Sequence, residues 1–261
     1  METGTDIVLV HGWAGSAEAW DPVAACLAER RSFRVHAVRL PGSPGSDSSA
    51  DRTIAAAAAE VEALIRALDA PAALVGHSMG AQVTTRAHTA APDAVLTEVV
   101  LDPAYGADAD TRSEMAAWAD DIASNGHAAV DGFFAEAIAG LAAADRERLR
   151  ADLLATSPDT IARYLRSEYV DEDAIGLLPA SARAAAMRTR RVLAVHSSLE
   201  GLAREQRLPS PRGSRIDVWQ GHGHYFHLED PERFASLLAD WVLTAAAAQA
   251  RESPLHEEIQ P

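Results

Sequence analysis

The chain contains no lysine: all 23 of its basic residues are arginine, set against 38 aspartates and glutamates. Without a side-chain primary amine, no Schiff base to a substrate or to pyridoxal phosphate can form, a serine–lysine dyad is excluded, and no phosphate-binding loop can supply its usual lysine. Cysteine is nearly absent as well. The single Cys26 cannot close an internal disulfide, which fits a reducing, cytoplasmic setting. No apolar run is long enough to cross a bilayer and no charged-then-apolar leader is present, so neither secretion nor membrane integration is expected. A formal charge of −15 runs against nucleic acid and anionic membrane surfaces, both of which reward cationic faces. The expected partner is a small molecule. Composition leaves the oligomeric state open.

What the chain does have is alternation. Short apolar runs at 6–10, 33–38, 72–77, 96–101, 191–196 and 215–220 are separated by segments of helical period. Several runs are continuous in Val, Leu, Ile and Ala, the pattern of strands covered on both faces. Ile54, Val61, Leu64, Ile65 and Leu68 form one helical stripe, and Phe234, Leu237, Leu238, Trp241 and Val242 another. The expected fold class is α/β, a mostly parallel central sheet with helices on both faces. From about Ala104 to Arg190 the alternation stops, and helices are expected near 111–124, 129–140, 144–155, 158–168 and 179–187. The expected division is a core of 1–103 and 191–248, a helical insertion at 104–190, and a flexible, polar, proline-marked tail at 249–261.

Three motifs carry chemistry. Gly76-His77-Ser78-Met79-Gly80 follows the run Ala72-Ala73-Leu74-Val75, so a Gly-x-Ser-x-Gly turn is expected between a strand and a helix. That turn strains the backbone at Ser78 and projects its hydroxyl, while a Cβ at either flanking glycine would collide with a neighbouring element. The Met79 N–H at the helix start is then free to face an oxyanion. Near the N-terminus, Asp6 to Val10 reads as a buried strand, and His11-Gly12-Trp13-Ala14-Gly15-Ser16 follows as a loop in which the Trp13 N–H can be a second donor. Late in the chain, Gly221-His222-Gly223-His224 leads to Glu229 and Pro231. A serine hydroxyl needs a base within reach, and His224 is the candidate. His222, His224 and His227 also spell His-x-His-x-x-His, but no Cys, Asp or Glu at zinc-site spacing accompanies them, and no metal is expected.

These motifs, in this order, resemble the oxyanion loop, nucleophile elbow and catalytic-histidine loop of the α/β-hydrolase fold family, over roughly residues 6 to 245 apart from the middle insertion. The form Gly-His-x-x-x-x-Glu-x-Pro singles out His224. The resemblance implies a Ser78–His224–acid triad, backbone donors at Trp13 and Met79, and a lid made by 104–190. The family's usual aspartate position, after the strand 191–196, is occupied by Ser197-Ser198-Leu199-Glu200, with serine for the usual glycine and glutamate for the usual aspartate. Glu200 is favoured as the acid; Asp102, at the end of the strand before the insertion, is the rival. His11 and His77 are read as loop braces and Cys26 as core. His36, His88, His127 and His256 have no partner pattern and are read as surface or incidental. The implied activity is hydrolysis of an ester, thioester or lactone of a small apolar or specialised metabolite, with no cofactor. A lyase performing an elimination on the same framework, or a ligand receptor with an idle triad, are the alternatives.

Overall fold

The structure is a computed structural model and describes residues 4–30 and 32–252. Its strands are β1 (Thr5–Val10), β2 (Phe33–Val38), β3 (Ala72–His77), β4 (Val95–Leu101), β5 (Val192–His196) and β6 (Arg215–Val218). They form one six-stranded sheet in the order β2-β1-β3-β4-β5-β6, with every neighbouring pair parallel. All six fall where the apolar runs put them. The central β3, β4 and β5 are buried at every position, whereas β2 and β6, at the edges, are only partly covered.

The helices are α1 (Asp21–Ala28), α2 (Ile54–Arg66), α3 (Met79–Ala90), α4 (Thr111–Asn125), α5 (Asp131–Ala137), α6 (Ala143–Ala155), α7 (Pro158–Tyr169), α8 (Ala180–Ala186), α9 (Leu199–Glu205), α10 (Phe226–Glu229) and α11 (Pro231–Glu252). Alternate strand residues point to opposite faces, and this divides the core. Ile7, Leu9, Val75, Val99 and Val195 meet Val23 and Leu27 of α1 and Phe234, Leu238 and Val242 of α11. Val8, Val10 and Leu74 meet Ile54, Val61 and Ile65 of α2 and Val83 of α3. Cys26 is half-buried against the first of these faces. Helix α11 continues to Glu252, so the first residues of the expected tail belong to a helix; the remainder of that tail, with His256, lies outside the described residues. Among the described residues, no helix is long and apolar enough to cross a membrane.

Between β4 and β5, helices α4 to α8 replace the strand–helix rhythm. They are tied to the loops at the carboxyl ends of the strands by long-range hydrogen bonds. The Trp13 indole N–H donates to the Ile161 carbonyl at 2.9 Å, the Tyr164 hydroxyl to the Pro41 carbonyl at 2.9 Å, and the Ser16 hydroxyl to Asp152 at 2.7 Å. Their own apolar residues, among them Ile122, Phe134, Leu149 and Leu165, join the core cluster on the α2 and α3 side.

Two histidines read as incidental are structural. His36 bonds to the buried Asp6 at 2.8 Å. His88 is fully buried and pairs with Glu98 at 2.9 Å. Glu98, on β4, also accepts from the Thr84 and Thr85 hydroxyls and lies 3.7 Å from the Arg188 guanidinium. Burial pushes the Glu98 carboxyl up, yet the Arg188 charge and these hydrogen bonds outweigh it and hold the group below its ordinary range. The network was invisible in sequence because its members come from one strand, one helix and the segment before β5.

A Cβ on Gly80 would lie 2.4 Å from the Val10 carbonyl oxygen and 2.7 Å from that of His11, both main-chain atoms that cannot move aside. Gly80→Ala is therefore expected to lose about 3 kcal/mol or more, the upper end for overpacking. Gly132, in α5, has open space around it: a Cβ there would meet no atom within 4 Å. Gly132→Ala should be neutral or up to about 1 kcal/mol more stable. Urea denaturation of the two variants checks the contrast.

Candidate active site

Strand β3 ends at His77 and α3 begins at Met79, leaving Ser78 to make the whole change of direction at φ +53° and ψ −118°. A side chain with Cβ pays about 1–3 kcal/mol for such a conformation, so neighbours must enforce it. A Cβ on Gly76 would lie 2.5 Å from the Gly80 carbonyl oxygen, which shows how closely strand and helix close on the turn. The Ser78 N–H donates to the Leu101 carbonyl at 2.8 Å, and the Ser78 carbonyl accepts from Ala104 N–H at 3.1 Å. Ala14 and Asp102 are the other non-glycine residues with positive φ among those described, at +53° and +38°. Ser78 and Asp102 line one cavity, and Ala14 follows Trp13, which lines it too.

That cavity measures about 840 Å³, and Trp13, Ser78, Asp102 and His224 all line it. Among the described residues, neither the Trp13 nor the Met79 main-chain N–H has an acceptor. Met79 stands at the positive end of α3, where the first amides have no intrahelical partner. Opposite lies an aromatic group: Trp13 and Trp118 meet edge to face at 5.3 Å, and Trp118 and Phe133 at 5.2 Å.

His224 is held by its loop as well as by packing of its ring on His77, with centroids 4.6 Å apart. Glu229 accepts the Gly223 N–H at 2.7 Å and a ring N–H of His222 at 2.9 Å, so this one carboxylate fixes both residues that precede His224. The glutamate of the Gly-His-x-x-x-x-Glu pattern is thus a brace. From beneath, the His77 Nε2–H donates to the His224 carbonyl at 3.0 Å. His77 also packs on His227, with ring centroids 4.5 Å apart, and His227 lies against Trp20. The three histidines of His-x-His-x-x-His therefore point to three different surroundings.

The acid beside His224 is Asp102, which corrects the expectation of Glu200. His224 Nδ1 lies 3.2 Å from Asp102 Oδ2. The Ser197 N–H donates to Asp102 Oδ1 at 2.8 Å and the Ser197 hydroxyl to Oδ2 at 2.5 Å. Glu200 sits in the first turn of α9, which Ser198 caps by accepting the Gly201 N–H. From there it points to the rim, its side chain 74% exposed and paired with Arg204 one turn on. The physical reason is the early start of α9: the chain curls into a helix directly after β5, and a carboxylate is also favoured at a helix N-terminus. No segment remains to carry Glu200 back to the ring. The serine that replaces the usual glycine serves Asp102, a role that sequence spacing could not show.

Burial raises the Asp102 pKa, but the hydrogen bond and charge of His224 and the two Ser197 donors outweigh it, and the carboxyl stays below its ordinary value. As an acceptor-only carboxylate it requires the proton on His224 Nδ1, which leaves Nε2 free to accept one. The surrounding histidines are kept neutral. Burial lowers His11 to about 4 and His227 to about 3, and it holds His77 well below its usual range, with the nearby His227 and His224 adding to the effect.

These buried imidazoles make stability depend on pH with a definite sign. Unfolded, each takes up a proton below about pH 6.5; folded, each resists until far lower. Stability is complete above the unfolded value and is lost as pH falls toward the folded ones. Near pH 5 the three contribute a slope of about 4 kcal/mol per pH unit, from about 1.4 each. Urea titrations at pH 5 and pH 7 should show the loss, and His227→Phe should reduce the slope by about a third.

The alpha/beta hydrolase family model matches residues 7–237. A curated relative, the pimeloyl-(acyl-carrier protein) methyl ester esterase of Methylococcus capsulatus, is 36% identical over 98 residues, which cover 38% of this chain and 37% of that protein. The chain therefore matches well under two thirds of the length of such relatives. Among solved structures, MenH from S. aureus superposes with a TM-score of 0.80 at 16% identity, covering 94% of this chain and 96% of the other. The esterase EaEST from Exiguobacterium antarcticum does so at 0.78 and 18% identity, covering 93% of each. At these identities the structures speak for the fold. With the family model spanning the sheet, the elbow and the His224 loop, the chain belongs to the alpha/beta hydrolase family.

Proposed function

We propose that the protein is a serine hydrolase that cleaves a carboxylic ester, or a thioester or lactone, of a small molecule through Ser78, His224 and Asp102. The observation that carries this reading is the His224–Asp102 contact at a cavity that Ser78 also lines. In this scheme His224 Nε2 takes the Ser78 proton as Oγ attacks the carbonyl, and the imidazolium that forms is stabilised by the Asp102 carboxylate. The Trp13 and Met79 amides hold the oxyanion; a donor of this kind is worth about 3 kcal/mol of barrier. His224 then protonates the leaving group, and water, deprotonated by the same ring, releases the acyl enzyme and restores Ser78.

Residues 104–190 serve as the lid, screening the reacting groups from water and shaping the substrate. Trp13, Trp118 and Phe133 make one end of the cavity aromatic, which suits an apolar acyl or alkoxy group. The curated relatives are named for an ester carried on a protein. This lid favours a free small molecule instead. Residues 104–190 hold ten aspartates and five glutamates against nine arginines. Several of those arginines are already paired inside the lid: Arg150 with Asp131, Arg163 with Asp171, and Arg166 with Asp120. An acidic carrier would meet repulsion there.

Short p-nitrophenyl esters are the direct test. Ser78→Ala should lower kcat by about 10³-fold or more, and Asp102→Asn by a comparable factor because the imidazole loses its correct tautomer. Glu200→Gln should stay within about twofold, as expected for a rim carboxylate. Heavy-oxygen water should label the released acid. Equal rates for wild type and Ser78→Ala, or a product without solvent oxygen, would defeat the proposal.

A further inference from the structure

We propose that Glu168, held from behind by Gln82, is the anchor for an uncharged hydrogen-bond-accepting oxygen of the substrate, as in an amide or a hydroxyl group, and that this end of the cavity excludes carboxylates. The proposal rests on the hydrolase reading and adds a substrate class to it. Glu168 lies in the last turn of α7, is only 2% exposed as a residue, and lines the same cavity as Ser78. Nothing in the reaction scheme uses it, and burying a carboxyl with one long hydrogen bond is costly.

The surroundings define what it can offer. Gln82 Nε2 donates to the Ala104 carbonyl at 2.6 Å, which fixes the amide so that its nitrogen also faces Glu168 Oε2 at 3.3 Å. The Tyr169 hydroxyl is spent on the same Ala104 carbonyl at 2.9 Å. Among the described residues, no cation pairs with Glu168. Its position near the C-terminal end of α7 adds the negative end of the helix dipole. One long hydrogen bond does not replace the hydration of a carboxylate, and burial holds this carboxyl well above its ordinary pKa. With Oε2 accepting from Gln82, the proton belongs on Oε1, where the O–H can donate into the cavity. Gln82 Oε1, also buried, has no partner among the described residues, so the polar group is not closed on itself.

The rest of the lining sets the preference against anions. Glu136 and Glu205 line the same space, Asp108 lines it paired with Arg207, and Arg204, the arginine among the lining residues, is taken by Glu200. An acceptor without charge gains the Glu168 hydrogen bond and escapes this field; a carboxylate does not. The anchor also sits close to the chemistry. Gln82 is one helical turn beyond Ser78, and the Ala104 that orients it donates its N–H to the Ser78 carbonyl.

The test compares p-nitrophenyl esters whose acyl chains, over a range of lengths, end in a primary amide, an isosteric alkyl group, a carboxylate or a trimethylammonium group. Wild type should prefer the amide over the alkyl ester in kcat/KM by about tenfold at its best length, the worth of one hydrogen bond to a buried group, and should discriminate against the carboxylate. Glu168→Leu should erase the amide preference, read as the ratio of amide to alkyl kcat/KM within each variant. Glu168→Gln, which keeps the shape and a donor, should retain most of the preference. An unchanged amide-to-alkyl ratio in Glu168→Leu overturns the proposal, as does a trimethylammonium ester that is favoured by wild type and lost in Glu168→Gln. The same ligands are read as Kd by tryptophan fluorescence in the Ser78→Ala background, with and without Glu168→Leu. Absence of turnover would then count against hydrolysis, while binding still decides the anchor.

Discussion

A single residue bent into a conformation that its own side chain opposes is the constraint from which the site is built. Ser78 can hold φ at +53° only because strand and helix close around it, and they can close only where no Cβ intervenes at Gly76 and Gly80. The hydrogen bond from Ser78 N–H to Leu101 and the return bond from Ala104 then tie this turn to the end of β4. Asp102 lies between those two contacts. The strain at Ser78 and the position of Asp102 are therefore one arrangement, carried by the middle of a parallel sheet. Sites in open sheets of this kind form outside the carboxyl ends of the strands, and here the segments after β1, β3, β4, β5 and β6 meet there.

The carboxylate beside His224 shows how one contact can be supplied from different strand ends within the same framework. A carboxylate needs to reach one side of an imidazole, and more than one strand end can present it. Starting α9 directly after β5 turns Glu200 outward, while the positive φ at Asp102 brings that carboxyl under His224. His224 itself, with two donors from Ser197, holds the Asp102 carboxyl below its ordinary pKa despite its burial. Around this pair, a layer of neutral histidines trades acid stability for position: His77 carries the His224 carbonyl, and Glu229 carries the turn before it.

The cavity lining is mixed: Trp13, Trp118 and Phe133 form an aromatic group in it, and several carboxyl groups, the buried Glu168 among them, line it as well. The inserted helices hold several of their arginines in internal pairs, so the insertion offers little free cationic surface to a macromolecule.

Composition and period were enough for the sheet. Six largely apolar runs gave six parallel strands, and the central ones are continuous because a strand buried on both faces must be apolar throughout. The glycine-flanked serine and the glycine-flanked histidine were legible for a similar reason: each is a local backbone requirement, written in adjacent residues. What depends on side chains from distant segments was not. The choice of Asp102 over Glu200, the service of Ser197 and Gln82, the burial of His88 against Glu98 and the exposure of His224 to a shared cavity are all settled by which strand ends come together. The sequence by itself determined the turns and the strands, since those follow from short-range sterics and the burial of apolar runs. Only the tertiary structure decided the partners, since a hydrogen bond across 122 residues is specified by packing and leaves no trace in local spacing.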